Sequence, residues 1–520
     1  MQILFDVNII IDILADRELF AEKSAMAIAK CRNESIKTWV YAGYVKTLEY
    51  SLTHELKRRH DIQGKFKPAN SVAKRLIQNF IKDCDWLAAL SEEMNVFESW
   101  DPEDAQLLRA LDRFENNSCK LLTRDDYLLT NYPEKTISIE AFLKGLPPIP
   151  ATPFIDLQTQ QDIIRPDLEK KIHAILHHGQ YILGPEIREL EEKLAEYTGA
   201  KHCVTVASGT EALLIALMAL GIGPGDEVIT SPFTFVATAE VIALVGATPV
   251  FVDIEPNTCN LDASLLKSAI SDKTKAIIPV SLYGQMCDMD EINAIAKEAG
   301  NIPVIEDAAQ SFGAEYKDIK SCNASTIGCT SFFPSKPLGC YGDGGAMFTS
   351  DDGLAQAFRE IRVHGQSKRY YHTRIGVGGR MDTLQAGVVL AKLPHFANEV
   401  KMRREAGERY NELIDNARIE RVHQKPDRTS VFAQYTVLID NREDIISKLQ
   451  ADGLPTAVHY PTVLFEQPAY KHQCRTLGDC SNSLRAAQRV MSLPMHPYID
   501  LRAQKEIVEK VKKVLQSGKK

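Results

Sequence analysis

The 520-residue sequence predicts an α/β protein in three units: a small α/β/α sandwich, a large α/β domain on a mainly parallel sheet, and a small C-terminal α+β unit. Three observations predict it. The length asks for three or four folding units at roughly 150 residues each. Apolar β-type runs alternate with helical periodicity along most of the chain, the pattern of parallel strands joined through helices. Finally, GLPPIPATP, residues 145–153, sets Pro147, Pro148, Pro150 and Pro153 in a stretch that can continue neither a helix nor a central strand. We therefore read one domain over 1–145, a stiff linker over 146–153, a large domain over 154–398 and a small one over 399–520.

In the first unit, ILFDVNIIIDIL begins as a buried strand and turns helical. Val45, Leu48, Leu52 and Leu56 recur at helical spacing between Tyr44 and Leu56, and CKLLTRD and KTISI read as short strands. Beyond the linker the strand candidates are HCVTVA, DEVIT, TPVFVDI, KAIIPVSL, IPVIED, CTSFF and AMFTSD, with helical runs between most of them. A wide, mainly parallel sheet with helices on both faces buries such strands. From about Glu399 the texture changes: KMRREAGERYNELI is an amphipathic helix, and QYTVLID and PTAVHYP read as strands of the smaller unit.

Composition narrows the class. Hydrophobic residues at 44% and charged residues at 25% describe a soluble globular protein, too apolar to be disordered. Lys plus Arg total 61 against 69 Asp plus Glu, a net charge of −8 that argues against coating nucleic acid non-specifically. No stretch approaches the ~18 apolar residues of a membrane span, and MQILFDVNII lacks the basic start of a signal peptide. Eleven cysteines without a C-x-x-C pair fit reduced thiols. The expectation is a cytoplasmic protein with no membrane partner.

Three features of the large domain lie at the carboxyl ends of predicted strands, where open α/β sheets hold ligands. In VTVASGTEALLIALMAL a strand ends, Ser208-Gly209-Thr210 turns, and a helix begins. Free N–H groups and the positive helix end suit a phosphate there, while Ser208-x-x-Glu211 is equally a capping box. In PVIEDAAQSFGA, Asp307 follows an apolar strand, so its carboxylate needs a cation: an interior ion pair, or a ring nitrogen that must stay protonated. In TSFFPSKPLGCYGDGGAMF, Lys336 sits between aromatic residues and a glycine-rich turn. A desolvated lysine has a depressed pKa and can form a Schiff base at neutral pH. Phosphate cradle, carboxylate and buried lysine together are the parts that pyridoxal 5′-phosphate requires.

On these motifs, residues ~154–515 resemble the DegT/DnrJ/EryC1/StrS family of nucleotide-sugar aminotransferases, fold type I pyridoxal-phosphate enzymes. The resemblance implies that Lys336 is the Schiff-base and proton-shuttling lysine and that Asp307 faces the pyridinium nitrogen. It places Gln310 near the ring hydroxyl, Gly209, Thr210 and Ser331 at the phosphate, and Phe235 of SPFTFVAT over the ring. Relatives that act as dehydratases carry histidine in place of the lysine, so Lys336 favours transamination. Many members have Gly-x-Asn-x-Arg before an MD-x-LQA helix, the asparagine crossing a homodimer to the cofactor phosphate. Here the run is Gly376-Val377-Gly378-Gly379-Arg380, without the asparagine.

RIGVGGRMDTLQAGVVLAKL, SVFAQYTV and PTAVHYP further resemble the branch that makes 3-amino sugars from UDP-2-acetamido-3-oxo-glucuronate. That resemblance puts Arg380, His459 and Tyr460 near the uronate carboxylate, for which arginine offers two parallel charged hydrogen bonds. The competing reading pairs Arg380 with an internal acid and leaves His459-Tyr460 as packing.

In residues 1–145, Asp6 ends the first strand, Glu49 lies beside a helical apolar stripe, Asp104 lies in the first turn of SWDPEDAQLLRAL, and Asp125 follows KLLT. Asp101 precedes Pro102 and reads as a helix cap, and Asp126 as a solvated neighbour of Asp125. Carboxylates clustered at strand ends can hold Mg²⁺ or Mn²⁺ and activate water for phosphodiester hydrolysis. DVNIIIDIL, TLEY, EDAQLL and LLTRDDYLL resemble a PIN domain, a small metal-dependent ribonuclease fold, which implies Asp6, Glu49, Asp104 and Asp125 as the metal set and RNA as a partner. The leading expectation is an aminotransferase that moves an amino group from glutamate to a UDP-linked keto-sugar for amino-sugar or surface-polysaccharide synthesis, fused to a PIN-like domain. Its rival is a ribonuclease whose C-terminal region senses a sugar nucleotide.

Overall fold

The computed structural model describes residues 153–517 and, before them, five strands together with Ile10 and Leu128. The chain divides into two compact units, Met1–Ile149 and Pro150–Lys520. In the first, β1 (Gln2–Phe5), β2 (Lys37–Tyr41), β3 (Asp85–Leu87), β4 (Cys119–Thr123) and β5 (Thr136–Ser138) form one parallel sheet in the order β3-β2-β1-β4-β5. Ile3, Phe5, Leu121 and Leu122 are buried on its central strands. Strands β2 and β3 were not expected: KTWVY and DWL are too short to show a period in the sequence. The 44–56 helical stretch and all four acids, Asp6, Glu49, Asp104 and Asp125, lie outside the described residues.

In the second unit, helices α1 (Leu157–His178) and α2 (Pro185–Thr198) lead into an alternation. It runs β6 (His202–Val206), α3 (Gly209–Ala219), β7 (Glu227–Thr230), α4 (Ala237–Leu244), β8 (Thr248–Phe251), β9 (Thr274–Ile278), α5 (Met289–Glu298), β10 (Ile305–Asp307), β11 (Ile327–Ser331), β12 (Gly345–Thr349) and α6 (Asp352–Ile361). The strands pair as β8-β7-β9 and β10-β11-β12-β6, with Arg475–Thr476 added beside β8. Parallel bridges Ile277–Val304 and Val280–Asp307 join the two sets, so seven strands run edge to edge. These are the seven strands expected, and β12 alone among them runs antiparallel to its neighbours.

Side chains alternate between the faces, as a pleated strand dictates. Val204, Val206, Val228, Ala276, Ile278 and Met347 pack under α3, α4 and α6. Ile229, Ile277 and Val250 point the other way against α5, while Cys203, Ala346 and Phe348 meet α1, α2 and the next helix. That helix, α7 (Thr383–Asn416), has 34 residues and runs without a break through position 399. The amphipathic stretch read as opening the small domain is therefore its second half. Phe396, Arg403, Ala406, Tyr410 and Ile414 recur on its buried side at helical spacing.

The C-terminal part packs α8 (Arg442–Ala451), α9 (Ser481–Arg489) and α10 (Leu501–Ser517) with the antiparallel strands β13 (Tyr435–Leu438) and β14 (Val490–Leu493), β13 also pairing with Glu420–Arg421. The run PTAVHYP is not a strand. Only Ala457 bridges Ser492, because Pro455 and Pro461 lack the N–H groups that would extend a ladder on either side. Within α7, Gly407 is a helix-interior glycine, ordinarily destabilising. A Cβ there would lie 2.3 Å from Phe432 Cε2, so the buried Phe432 ring requires the hydrogen. G407A should therefore destabilise the fold by about 1–3 kcal/mol despite its better helix propensity, read as a lower urea midpoint.

Candidate active site

The sheet presents its ligand edge where parallel strands end. Strand β6 ends just before Ser208, β7 before the Ser231–Phe235 loop, β10 at Asp307 and β11 at Ser331, while the antiparallel β12 starts there at Gly345. Ser208 caps α3, its Oγ accepting from the Glu211 N–H at 3.1 Å. The backbone behind it is tight: a Cβ on Gly209 would lie 2.7 Å from Ser331 Cβ, and one on Gly345 would lie 2.6 Å from the Ser208 carbonyl carbon. Ser208, Gly209, Thr210 and Ser331 thus come together as one cradle, with the first amides of α3 aimed outward.

Asp307 is buried at the end of β10. Thr238 Oγ1 donates to its Oδ2 at 2.9 Å and the Ala309 N–H to its Oδ1 at 3.2 Å. Burial pushes the carboxyl pKa up, and Thr238, the Ala309 amide and the Lys336 charge pull the other way. Lys336 follows the SFF stretch, its backbone N–H held by the Phe333 carbonyl at 2.8 Å. Desolvation lowers its pKa, the Asp307 charge partly opposing this. These residues fit pyridoxal phosphate: a cradle of amides without side chains in the way, a buried carboxylate that a cation would offset, and an amine whose pKa desolvation lowers.

Gln310 is clamped between two neighbours, accepting from the Tyr283 N–H at 2.8 Å and donating through Nε2 to the Tyr460 hydroxyl at 3.2 Å. The Phe235 ring, 53% exposed, lies 5.9 Å from that of Tyr460. His459 faces the same space. Its Nδ1 is 3.1 Å from Ser492 Oγ, and Tyr283 donates its hydroxyl to the His459 carbonyl. Burial first, then the Lys336 charge, lowers the His459 pKa to about 4, so the imidazole is neutral at pH 7. Burial raises the Tyr460 pKa, keeping its phenol protonated.

Arg380 follows Gly379, whose backbone passes close to Glu211 in the first turn of α3, and the Arg380 charge acts on that carboxylate; no hydrogen bond or ion pair among the described residues joins it to His459 or Tyr460. Sequence reasoning missed Thr238, Tyr283 and Ser492. Thr238 stood in view in SPFTFVAT, but only the fold shows that it meets Asp307, 69 positions away.

Residues 162–512 match the DegT/DnrJ/EryC1/StrS aminotransferase family. The chain is 57% identical over 349 residues to a UDP-2-acetamido-2-deoxy-3-oxo-D-glucuronate aminotransferase of Pseudomonas aeruginosa, covering 67% of this chain and 96% of that protein. A DegT DnrJ EryC1 StrS aminotransferase structure from Brucella abortus superposes with a TM-score of 0.68 at 41% identity, over 69% of this chain and 98% of that one. The PLP form of a protein assigned as a sugar aminotransferase from Streptococcus pneumoniae gives 0.64 at 27% identity, over 68% and 96%. With its lysine and aspartate gathered at the sheet edge and this likeness across its second unit, the chain belongs to the DegT/DnrJ/EryC1/StrS family and is a sugar aminotransferase.

Proposed function

We propose that the chain aminates a UDP-linked 3-oxo, N-acetylated uronate with glutamate as donor, for amino-sugar or surface-polysaccharide synthesis. The observation that carries this is the meeting of Lys336 and Asp307 with His459 and Tyr460, in a chain 57% identical to an aminotransferase named for that sugar. Bound pyridoxal phosphate supplies the electron sink that lets a proton leave and return at the amino-bearing carbon. The amides of Gly209 and Thr210, with Ser331, would hold its phosphate, and Asp307, its carboxylate fixed by Thr238, would keep the ring nitrogen positive. Phe235 would pack against the ring.

Lys336 Nζ takes the proton from the donor's carbon and returns it to the acceptor's. Its lowered pKa enlarges the neutral, base-competent fraction near neutral pH relative to an ordinary lysine. His459, neutral, and Tyr460, protonated, offer hydrogen bonds to the uronate without adding charge. Arg380 brings the positive charge for the carboxylate. A second copy of the chain is the natural partner, and Leu176, Tyr181, Ile182 and Leu183, exposed in and after α1, supply an apolar surface for it.

For the first unit we propose a PIN-type, Mg²⁺- or Mn²⁺-dependent ribonuclease. The favouring observation is that β1 and β4 are parallel neighbours, and in sequence Asp6 directly follows β1 while Asp125 follows β4 by two residues.

K336A should abolish the visible absorbance of lysine-bound cofactor and lower turnover by at least about 10²–10⁴-fold; an unchanged band would overturn the assignment. T238V should leave a folded, cofactor-binding protein with kcat reduced about tenfold, the effect of removing one hydrogen bond to a charged group. D6N should eliminate Mn²⁺-dependent RNA cleavage and leave transamination intact, measured on the same preparation.

A further inference from the structure

Glu211 is a carboxylate that the chemistry above does not use. It stands in the first turn of α3, three residues after the cap, and its Oε2 is buried without a hydrogen-bond partner. A negative charge in the wall of a phosphate cradle is unfavourable unless a cation offsets it. The segment carrying Arg380 lies directly over it. A Cβ on Gly379 would sit 3.2 Å from Glu211 Oε2, which places this backbone against the carboxylate. That backbone is pinned on both sides: the Ala207 N–H donates to the Gly379 carbonyl at 3.0 Å, and the Gly379 N–H to the Arg362 carbonyl at 3.0 Å. The next residue is Arg380, whose Nη2 would lie 3.7 Å from a Cβ on Gly378. The guanidinium forms no ion pair among the described residues.

We propose that Glu211 is the in-chain counter-ion that positions the Arg380 guanidinium, and that it thereby sets the preference for a sugar bearing a carboxylate over one bearing a hydroxymethyl group. This rests on the substrate reading given above. The Arg380 charge acts on Glu211, and no ion pair joins the two among the described residues. A closed pair would occupy the donor fork that an incoming carboxylate needs. With no counter-ion, a long arginine side chain would sample many rotamers and lose entropy on binding. A nearby carboxylate that is not closed into an ion pair biases the guanidinium's position in a partly desolvated site and leaves its donors free.

The test compares UDP-2-acetamido-3-oxo-glucuronate with its C6-hydroxymethyl analogue, as kcat/KM for the holoenzyme. E211Q keeps the length and the polar atoms of the capping turn and removes the charge. It is expected to lower the ratio for the carboxylated sugar tenfold or more, through KM, and to have no further effect on the ratio in an R380Q background. If E211Q folds poorly, E211D, which keeps the charge but withdraws it by one methylene, is expected to lose part of the ratio. An effect of E211Q that is equal on both sugars, or that persists in R380Q, overturns the proposal and reduces Glu211 to a helix cap. A wild-type enzyme that prefers neither sugar overturns the substrate reading and the role of Glu211 with it. A wild-type preference that E211Q leaves intact overturns the role of Glu211 alone.

Discussion

The second unit is organised around the burial of charge at the sheet's ligand edge. Asp307 and Lys336 are both desolvated, each shifted toward its neutral form and each partly restored by the other. Asp307 would not be tolerated there uncompensated, because an unpaired buried charge costs several kcal/mol. The surrounding structure is arranged to make the pair tenable: Thr238 and the Ala309 amide hold the carboxylate, and the adjacent Glu306, also fully buried, is satisfied by Ser281, Ser321 and the Cys322 N–H. The same desolvation suits Lys336 to nucleophilic and proton-transfer chemistry.

Close backbone approach is the second constraint. Gly209 against Ser331 and Gly345 against Ser208 are contacts that a side chain would prevent. Both lie where β6, β11 and β12 converge, and they draw the amides of α3 to the edge where β10 delivers Asp307. Further from the edge, α7 ties the parts together. Gln385 near its start accepts from the Tyr341 N–H in the turn after Lys336, and Tyr410 near its end donates to the Pro494 carbonyl.

Much of this was legible in advance because its causes are local. Seven strands of the large sheet could be read because each is a short apolar run bounded by turn residues. Asp307 and Lys336 stood out because a charge directly after an apolar strand, or among aromatic residues, contradicts its surroundings. PTAVHYP misled because its residues favour strands while its two prolines forbid a ladder, and the change of texture near Glu399 lies within one continuous helix, α7. Strands β2 and β3 were too short to carry a period.

The order of residues alone determined the sheet's strands, the lysine and carboxylate suited to pyridoxal phosphate, and the resemblance to sugar aminotransferases. Those are properties of periodicity and of a residue set against its neighbours in the chain. Only the tertiary structure decided that Thr238 supports Asp307, that Gln310 spans Tyr283 and Tyr460, that His459 is neutral beside Lys336, and that the Arg380 charge acts on Glu211. Each of these joins residues from about 30 to 170 positions apart, and hydrogen bonding and desolvation depend on distance in space, which no local pattern encodes.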